Sequence, residues 1–370
     1  MNQKADHSPV RSQIIQLSKQ GNQLLKIRHY PEARRVFEEA LLLAPKDVYL
    51  MTGLADTLRQ QKEFSTAADY YHQVLEIDPQ NPFALRGLGD ALRGLQRYED
   101  AIGFWKKYLQ QKSWRDVFVL TRIADSYKTL CNYEDSQTYY QKALAIDAHD
   151  RYALMGLADL FHKRGLEVPA IEYYEKALAN GVTLIKILTI VGTLHQRQGN
   201  YEKARVYFEK TLAQDPDNSY ALYGMGSYYR WKNDYQRAVE AWERILQKSA
   251  GTVNLLTRLG DAYRNLGRYA DAERSYNSNL EQAYDKFSLI GMVKLLALQD
   301  RLQEAVQRYE ELLRREGEDL KVFGDVAELL LQSNKRDQAL QFLRRVRELQ
   351  KQNQEASHSI ENRIRQLESA

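Results

Sequence analysis

Large hydrophobic residues recur along the chain at intervals of three and four positions, and short polar stretches interrupt them. In one example, Leu85, Leu88 and Leu92 form one stripe, and Ala101 and Trp105 continue the pattern after a turn. This spacing places the apolar residues on one face of an α-helix, which has about 3.6 residues per turn. Each such unit therefore predicts two amphipathic helices joined by a tight turn.

The helix pair itself is repeated. Residues 53–58, 87–92 and 156–161 read GLADTL, GLGDAL and GLADLF. A mostly small residue of the first helix recurs every 34 residues, with one step of 35 and one of 33, at Gly21, Ala55, Gly89, Ala124, Ala158, Gly192, Gly226, Gly260, Val293 and Ala327. The second helix has its own small column at Ala33, Ala67, Ala101, Ser136, Ala170, Ala204, Ala238, Ala272, Ala305 and Ala339. A fixed period of this kind predicts ten copies.

Two kinds of residue indicate how each pair packs. Small residues let the helices approach closely, and aromatic residues such as Tyr71 and Trp105 fill the remaining space in second helices. Pro45, Pro79 and Pro216 end second helices because proline lacks the N–H that continuation needs. A lone pair cannot cover its own apolar face, so we expect the copies to stack into a solenoid.

The period and these columns resemble the tetratricopeptide repeat family over residues 14–352. The resemblance implies an all-α, right-handed superhelical solenoid of antiparallel helix pairs whose first helices line a concave groove. Residues 1–13 would then form an N-terminal tail, and residues 353–370 a C-terminal capping helix. In that last segment Ile360, Ile364 and Leu367 share one helical face, which indicates a cap on the open end of the array; a partner-binding helix is the alternative.

Composition limits the kinds of partner. With 44% hydrophobic and 28% charged residues, the chain is expected to fold. The net charge of +4 is too small for coating nucleic acid or an anionic membrane through bulk charge, so we expect no nucleic-acid partner and no direct membrane insertion. A single cysteine, Cys131, excludes an intramolecular disulfide and a cysteine-based metal cluster. The apolar runs are too short to cross a bilayer, so we expect a cytoplasmic protein, or a periplasmic one whose signal peptide has been removed.

Common catalytic patterns are missing from the sequence. Gly87 and Gly89 resemble the opening of a dinucleotide-binding loop, but they lie inside a repeating helix with no strand before it. No phosphate-binding loop, serine-nucleophile elbow or zinc-binding His-Glu-x-x-His motif occurs, and the seven histidines are scattered. We therefore expect no enzyme activity, no cofactor and no metal, and a function that resides in the groove.

Two polar columns are expected to line that groove. A residue that is usually aspartate follows the small residue of the first helix, at Asn22, Asp56, Asp90, Asp125, Asp159 and Asp261. A basic residue stands three positions later, at Arg59, Arg93, Lys128, His162, Arg230 and Arg264. Residues three apart share a helix face. Either the two columns pair with each other and align the copies, or they bind the backbone and charges of a partner peptide.

Aromatic residues indicate further contacts. The seventh copy would present Tyr220, Tyr223, Arg230 and Trp231 inward, which are residue types that dominate binding hot spots; packing against the eighth copy is the alternative. A series near the starts of first helices is expected to pack between copies rather than to stack on bases, and it comprises Tyr49, Phe83, Phe118, Tyr152 and Tyr220.

The ninth copy is apolar where the groove is otherwise polar. It would present Phe287, Ile290, Lys294 and Leu298 inward. We expect the C-terminal helix or a second subunit to cover these residues, or a hydrophobic ligand group to be anchored there.

Some members of the family hold chaperone C-termini with a clamp of lysine, asparagine and arginine side chains. Only Asn22 matches that clamp, because Ser18, Gly53, Phe83 and Gly87 stand where its other residues would be. That mechanism is therefore not expected.

The expected function is a non-enzymatic protein–protein interaction scaffold, or adaptor, that binds a peptide segment or helix of a partner. One alternative is a self-assembling module that forms a homodimer through its C-terminal repeats. Another is an RNA-binding helical-repeat protein, which the aspartate column and the small net charge disfavour. The 35- and 33-residue steps predict flexible joints at residues 111–117 and 281–287.

Overall fold

The computed structural model of the chain describes residues 9–112, 114–248, 253–317, 321–351 and 353–369. All regular secondary structure in these residues is α-helical, which confirms the fold class that the hydrophobic pattern predicts. The contacts divide the chain into two units, one ending at Val182 and the other beginning at Thr183. Residues 1–8 of the expected tail lie outside the described residues, and the first helix begins at Pro9, before the expected boundary at residue 14.

Unit 1 contains five helix pairs in the part of the chain that the structure describes. Its first helices are α1 (Pro9–Lys26), α3 (Val48–Gln60), α5 (Pro82–Gly94), α7 (Val117–Thr129) and α9 (Arg151–Lys163). Its second helices are α2 (Tyr30–Leu43), α4 (Phe64–Ile77), α6 (Tyr98–Gln111), α8 (Tyr133–Ile146) and α10 (Glu167–Ala179). Each helix packs against the next one along the chain, so the pairs are stacked.

Unit 2 contains five more pairs and a final helix among its described residues. Its first helices are α11 (Ile185–Arg197), α13 (Ser219–Trp231), α15 (Val253–Asn265), α17 (Lys286–Leu298) and α19 (Val322–Gln332). Its second helices are α12 (Tyr201–Gln214), α14 (Tyr235–Leu246), α16 (Tyr269–Gln282), α18 (Leu302–Glu316) and α20 (Arg336–Leu349), and α21 (Gln354–Ser369) follows them. None of the described helices in either unit has the length and apolar character that a membrane span requires.

Small residues allow the close approach of the two helices in each pair. Ala33, Ala67 and Ala101 of the second helices are fully buried. A Cβ added at Gly89 would lie only 2.4 Å from Nε1 of Trp105, so that position of α5 has no room for a side chain. The small and aromatic columns therefore pack as the sequence predicts.

The turn inside each pair contains one residue with a positive φ angle, two positions before the second helix. In the third copy, Arg97 N–H donates to the Leu92 carbonyl over 2.9 Å, which closes the end of α5. The left-handed conformation at Gln96 makes this bond possible. The ten equivalent residues are Arg28, Lys62, Gln96, Cys131, Gly165, Gly199, Asn233, Gly267, Asp300 and Asn334.

Side-chain caps fix where several first helices begin. The Asn81 side chain accepts the Ala84 N–H over 3.0 Å, and Pro82 occupies the first helical position. Asp116 and Asp150 cap α7 and α9 in the same way. These caps set which residues stand in the first turn of each first helix.

The expected C-terminal helix is present and packs on the last pair of unit 2. Ile360, Ile364 and Leu367 of α21 are buried in the core of that unit. The Arg336 guanidinium donates to the Leu367 carbonyl, and Arg347 Nη1 lies 2.6 Å from a carboxylate oxygen of α21. This helix therefore covers apolar surface that the last pair would otherwise expose.

Candidate functional site

Buried tyrosines of second helices bind most of the aspartate column. The Tyr71 hydroxyl donates to Asp56 Oδ1 over 2.7 Å. Burial, and secondly the charge of Asp56, raises the pKa of Tyr71 well above its ordinary value, so the hydroxyl remains a donor. The equivalent pairs, each fifteen residues apart, are Tyr140 with Asp125, Tyr174 with Asp159, and Tyr276 with Asp261. These four aspartates therefore join the two helices of their own pair.

The sequence indicates this Asp–Tyr pairing when the aspartate column of the first helices is compared with the aromatic column of the second helices. Neither column reveals the pairing alone. The four bonded aspartates occur in copies whose second-helix aromatic is tyrosine. Where that aromatic is phenylalanine, at Phe37 and Phe208, the first helix has Asn22 and Thr193 instead. A phenylalanine has no hydroxyl, so an aspartate in those copies would lack this donor.

Three members of the basic column contact the aspartate of their own copy. The distances from side-chain nitrogen to carboxylate oxygen are 3.0 Å for Arg59 and Asp56, 3.2 Å for Lys128 and Asp125, and 3.4 Å for Arg264 and Asp261. Within the described residues, Arg93 and His162 form no ion pair with the aspartates of their copies. The three paired members are thus committed at least partly to the fold.

Asp90 has different partners. Its carboxylate lies 3.4 Å from Arg59 Nη1 and also contacts the Arg122 guanidinium, and its side chain is only 9% exposed. Arg122 stands at a helix position where α3, α5 and α9 have glycine, at Gly53, Gly87 and Gly156. An aromatic ring of the preceding pair occupies the space beside each of these glycines. In the sequence, Arg122 can be recognised because it interrupts the glycine column. The spacing of the aspartate and basic columns gives no indication of its role.

The aromatic series at the starts of first helices is exposed, so the prediction that it packs between copies is wrong. The exposed fractions are 65% for Tyr49, 72% for Phe83, 46% for Phe118 and 74% for Tyr152, and Tyr220 in unit 2 is exposed as well. Contact with the preceding pair is made one turn later, as the ring beside Gly87 shows. The first-turn side chains consequently lie outside that contact.

A cavity of about 330 Å³ has Phe83 and Phe118 among its walls. Its charged walls include Arg59, Arg86, Asp90 and Arg122. Arg122 lies over the Phe118 ring, with its guanidinium carbon 3.9 Å from the ring centroid. We refer to this cavity, together with the four exposed rings Tyr49, Phe83, Phe118 and Tyr152, as the aromatic face of unit 1.

Arg86 is the accessible cation of this cavity, with 40% of its side chain exposed. Its nearest carboxylate belongs to Asp116, 3.9 Å away. That carboxylate already accepts the Tyr108 hydroxyl over 2.8 Å and the Val119 N–H over 3.1 Å. Arg86 therefore has guanidinium donors that a bound acidic group can use.

The seventh copy, in unit 2, is only partly arranged as the sequence predicts. Trp231 stacks on Tyr201 with ring centroids 5.1 Å apart, and Lys232 lies 4.6 Å from the tryptophan ring centroid. Tyr223 is half-buried beneath the Arg258 guanidinium. Among the described residues, the Arg230 side chain has neither a hydrogen bond nor an ion pair. Contacts with Tyr201 and Lys232 therefore fix the position of the Trp231 side chain.

In the ninth copy, Phe287 is exposed, whereas Ile290 and Leu298 are half-buried. Lys294 Nζ lies 2.9 Å from Asp325 Oδ2. The α21 helix packs on α20 and α19 and does not bury Phe287. Covering by the C-terminal helix, one of the expected explanations, is therefore wrong for Phe287.

The residue columns found in the sequence coincide with matches to known protein families. A family model described as tetratricopeptide repeat matches residues 18–82, 121–181, 192–254 and 223–286, which together exceed half of the chain. A second model with the same description matches residues 58–112 and 296–364. The chain belongs to the tetratricopeptide repeat family. No sequence among the curated proteins gives a significant match.

Three solved structures are similar to this chain to different degrees. The C-terminal part of a repeat-containing protein from Cytophaga hutchinsonii is 16% identical, with a TM-score of 0.57, and the match covers 65% of this chain and 99% of that one. PilF from Pseudomonas aeruginosa is 18% identical, with a TM-score of 0.49 and coverage of 61% and 100%. YrrB, described as having an unusual peptide-binding site, is 18% identical, with a TM-score of 0.45 and coverage of 51% and 97%.

Tetratricopeptide arrays are protein–protein interaction scaffolds, and the aromatic face contains groups suited to that role. Exposed rings provide apolar contact area, and an accessible guanidinium provides charged hydrogen bonds. The chaperone-tail clamp is not among these groups. At its expected positions in unit 1, Ser18 is buried, and Gly53 and Gly87 have no side chains.

Proposed function

We propose that this chain is a non-catalytic scaffold that holds an extended peptide segment of a partner protein against the aromatic face of unit 1. One observation carries the proposal: four large rings at equivalent positions of α3, α5, α7 and α9 are 46% to 74% exposed. Full burial of an exposed side chain of this size contributes about 1.5–3 kcal/mol, and these partly exposed rings leave a fraction of that contribution unrealised. A peptide that crosses these four helices would recover part of it.

The contacts beneath the rings support the proposal because they make the surface rigid before a partner arrives. Tyr71 bonds Asp56, and Arg59 contacts both Asp56 and Asp90, so α3, α4 and α5 are linked by charged hydrogen bonds. A preformed surface loses little conformational entropy on binding. In this proposal the aspartates and paired basic residues support the face, while Arg93 and His162 are available to the peptide.

An array of synthetic peptides tests the proposal. The wild-type chain and a Phe83→Ala/Phe118→Ala double variant would be applied to the same array of about twelve-residue peptides of diverse sequence. We expect the double variant to lose at least about tenfold in affinity for the peptides that wild type retains, since tenfold corresponds to about 1.4 kcal/mol.

Leu42→Ala is the matched control, because Leu42 is 83% exposed on the second helix α2. That variant should retain the wild-type peptides. Equal binding by the double variant, or a wild-type chain that retains no peptide, would refute the proposal. Circular dichroism of each variant checks that helicity is unchanged.

The other expectations remain predictions. Self-assembly through the C-terminal repeats is consistent with the exposed Phe287, and sedimentation of the full chain would measure it. For RNA, the carboxylates of Asp56, Asp125 and Asp159 line the same helices as the rings and would repel phosphates. The compartment stays predicted as cytoplasmic or periplasmic.

A further inference from the structure

We infer that the peptide held by unit 1 has acidic side chains grouped in one half, and that these side chains occupy two adjoining basic cavities along α1, α3, α5 and α7. The inference rests on the proposed function, because it specifies which peptides that surface holds. Three observations carry it: a second cavity adjoins the cavity of the aromatic face, basic side chains are in excess on the walls of both, and the excess does not extend to α9.

The second cavity has a volume of about 530 Å³. Its walls include Lys26 at the end of α1 and Arg28 in the turn that follows. Asp56, Arg59 and Gln60 of α3 line this cavity and also the cavity of the aromatic face, so the two cavities share a wall. Among the first helices, α1 contacts α3 and α3 contacts α5. One extended peptide can therefore place side chains in both cavities.

Side-chain contacts between α5 and α7 show that both helices form the cavity of the aromatic face. The Arg122 guanidinium of α7 contacts the Asp90 carboxylate of α5. The guanidinium carbons of Arg86 and Arg122 lie 5.1 Å and 3.9 Å from the centroid of the Phe118 ring. Two positive charges are thus close to one exposed ring, and both would attract an acidic group placed beside that ring.

Basic side chains outnumber acidic ones on the walls of the two cavities. Asp56 lies 3.0 Å from Arg59, and the nearly buried Asp90 is shared by Arg59 and Arg122. The walls contain five basic residues and these two aspartates, an excess of three positive charges in a chain whose net charge is +4. The five basic residues are Lys26, Arg28, Arg59, Arg86 and Arg122.

Three of these basic side chains remain available to a ligand. Lys26 and Arg28 are exposed, and neither has an ion pair among the described residues. Arg86 lies 3.9 Å from its nearest carboxylate, that of Asp116, which already accepts the Tyr108 hydroxyl. Carboxylates of a peptide would receive charge-assisted hydrogen bonds from these cations, and charge complementarity selects an acidic peptide over a neutral or basic one.

The excess of basic residues does not extend to α9. There Asp159 accepts the Tyr174 hydroxyl, and His162 forms no ion pair with it in the part of the chain that the structure describes. The Tyr152 ring at the start of α9 is 74% exposed. This end of the face therefore suits an uncharged, apolar part of a ligand. A nucleic acid has a phosphate on every nucleotide and would place one beside Asp159, whereas a peptide can confine its acidic side chains to one half.

Fluorescence anisotropy with labelled synthetic peptides and the full chain tests this inference. One half of the first peptide is a run of glutamate, the other half consists of leucine and serine, and the C-terminus is amidated so that no terminal carboxylate contributes. The peptide is made in both chain directions, and the tighter binder is compared with versions in which glutamine or lysine replaces every glutamate. We expect both replacements to weaken binding at least about tenfold, which corresponds to about 1.4 kcal/mol. An oligouridylate of the same length should also bind more weakly than the glutamate peptide.

Neutral substitutions in each cavity locate the binding of the acidic side chains. Arg28→Gln and Arg86→Gln should each weaken binding of the glutamate peptide at least about threefold, and the losses should multiply in the double variant. Gln96 occupies the turn position equivalent to Arg28 with a φ angle of 62°, so this turn accepts glutamine. Lys107→Gln is the matched control, because it removes one positive charge from an exposed residue of α6 outside both cavities. It should change the affinity less than about twofold.

The results distinguish this inference from the proposed function. Four results overturn the inference: equal affinity for the glutamate and glutamine peptides, tighter binding of the lysine peptide or the oligouridylate, equal losses in Arg86→Gln and Lys107→Gln, and no binding of the glutamate peptide. The diverse peptide array with the Phe83→Ala/Phe118→Ala variant decides the proposed function separately, because that array includes peptides without acidic residues. Retention of neutral peptides through the rings would support that function and refute only the ligand assigned here.

Discussion

Replacing Tyr71 with phenylalanine tests whether the aspartate column stabilises the fold. The substitution keeps the fully buried ring and removes only the hydroxyl, which donates to Asp56 over 2.7 Å and accepts from Arg59 Nε over 3.3 Å. A hydrogen bond to a charged group contributes about 1.5–3 kcal/mol. The Asp56 side chain is 33% exposed, so water can replace part of the lost bond, and its contact with Arg59 remains. We therefore expect Tyr71→Phe to lower the free energy of unfolding by about 1–2 kcal/mol.

Urea denaturation followed by circular dichroism measures this change, and native-state hydrogen exchange assigns it to α3 and α4. Tyr70→Phe is the matched control, because the Tyr70 hydroxyl has no hydrogen-bond partner among the described residues of the chain. We expect that control to change stability by less than about 0.5 kcal/mol. If Tyr71→Phe destabilises the chain no more than Tyr70→Phe does, the aspartate column is not a structural feature, and its residues become stronger candidates for partner binding.

Two further perturbations follow from the turns and from α21. Lys62 and Gly199 both have positive φ angles, 65° and 76°, which glycine adopts more easily than other residues. Lys62→Gly should therefore raise the free energy of unfolding by about 0.5–1 kcal/mol, and Gly199→Ala should lower it by about 1 kcal/mol. Urea denaturation measures both changes, and opposite signs would contradict the strain argument. A hydrogen bond from Arg347 lowers the pKa of Glu361 below its ordinary value of 4.5, so the unfolded chain binds this proton more readily. The stability that Glu361 contributes is then present above about pH 4.5 and is lost as the pH falls through the lowered folded-state pKa. The protection factors of the α21 amides, which correct for the intrinsic exchange rate at each pH, should fall over that range, and less steeply in Glu361→Gln; identical profiles would exclude the linkage.

Patterns among residues close together in the sequence were sufficient to predict the fold. The three- and four-residue spacing of apolar side chains gives the helices, and small residues such as Gly89 and Ala101 give the pairing. These features depend on residues close together in sequence, and each appears ten times, so chance variation in one copy does not hide the pattern. The Asp–Tyr pairing was also available in the sequence, since four copies combine aspartate with tyrosine and the two phenylalanine copies lack the aspartate; Asp90 with Trp105 and Lys294 with Tyr309 depart from this pattern.

The candidate site was less predictable, because it depends on how one pair is placed against the next. Whether Phe83 is buried or exposed is decided by where the preceding pair makes contact, and that contact lies one turn away at Gly87. The partners of Asp90 come from Arg59 and Arg122, which are 31 and 32 residues distant and belong to neighbouring copies. Equivalent positions in the ten copies do not by themselves reveal these contacts between copies.

The amino-acid sequence by itself determined the helices, their pairing, the turn in each pair and the family, because hydrophobic periodicity and backbone preference act within one repeat. Only the tertiary structure decided which rings face solvent, which arginines contact Asp90, and that Arg86 remains accessible. The reason is geometric: burial and ion pairing depend on distances between side chains of different helices, and stacking fixes those distances.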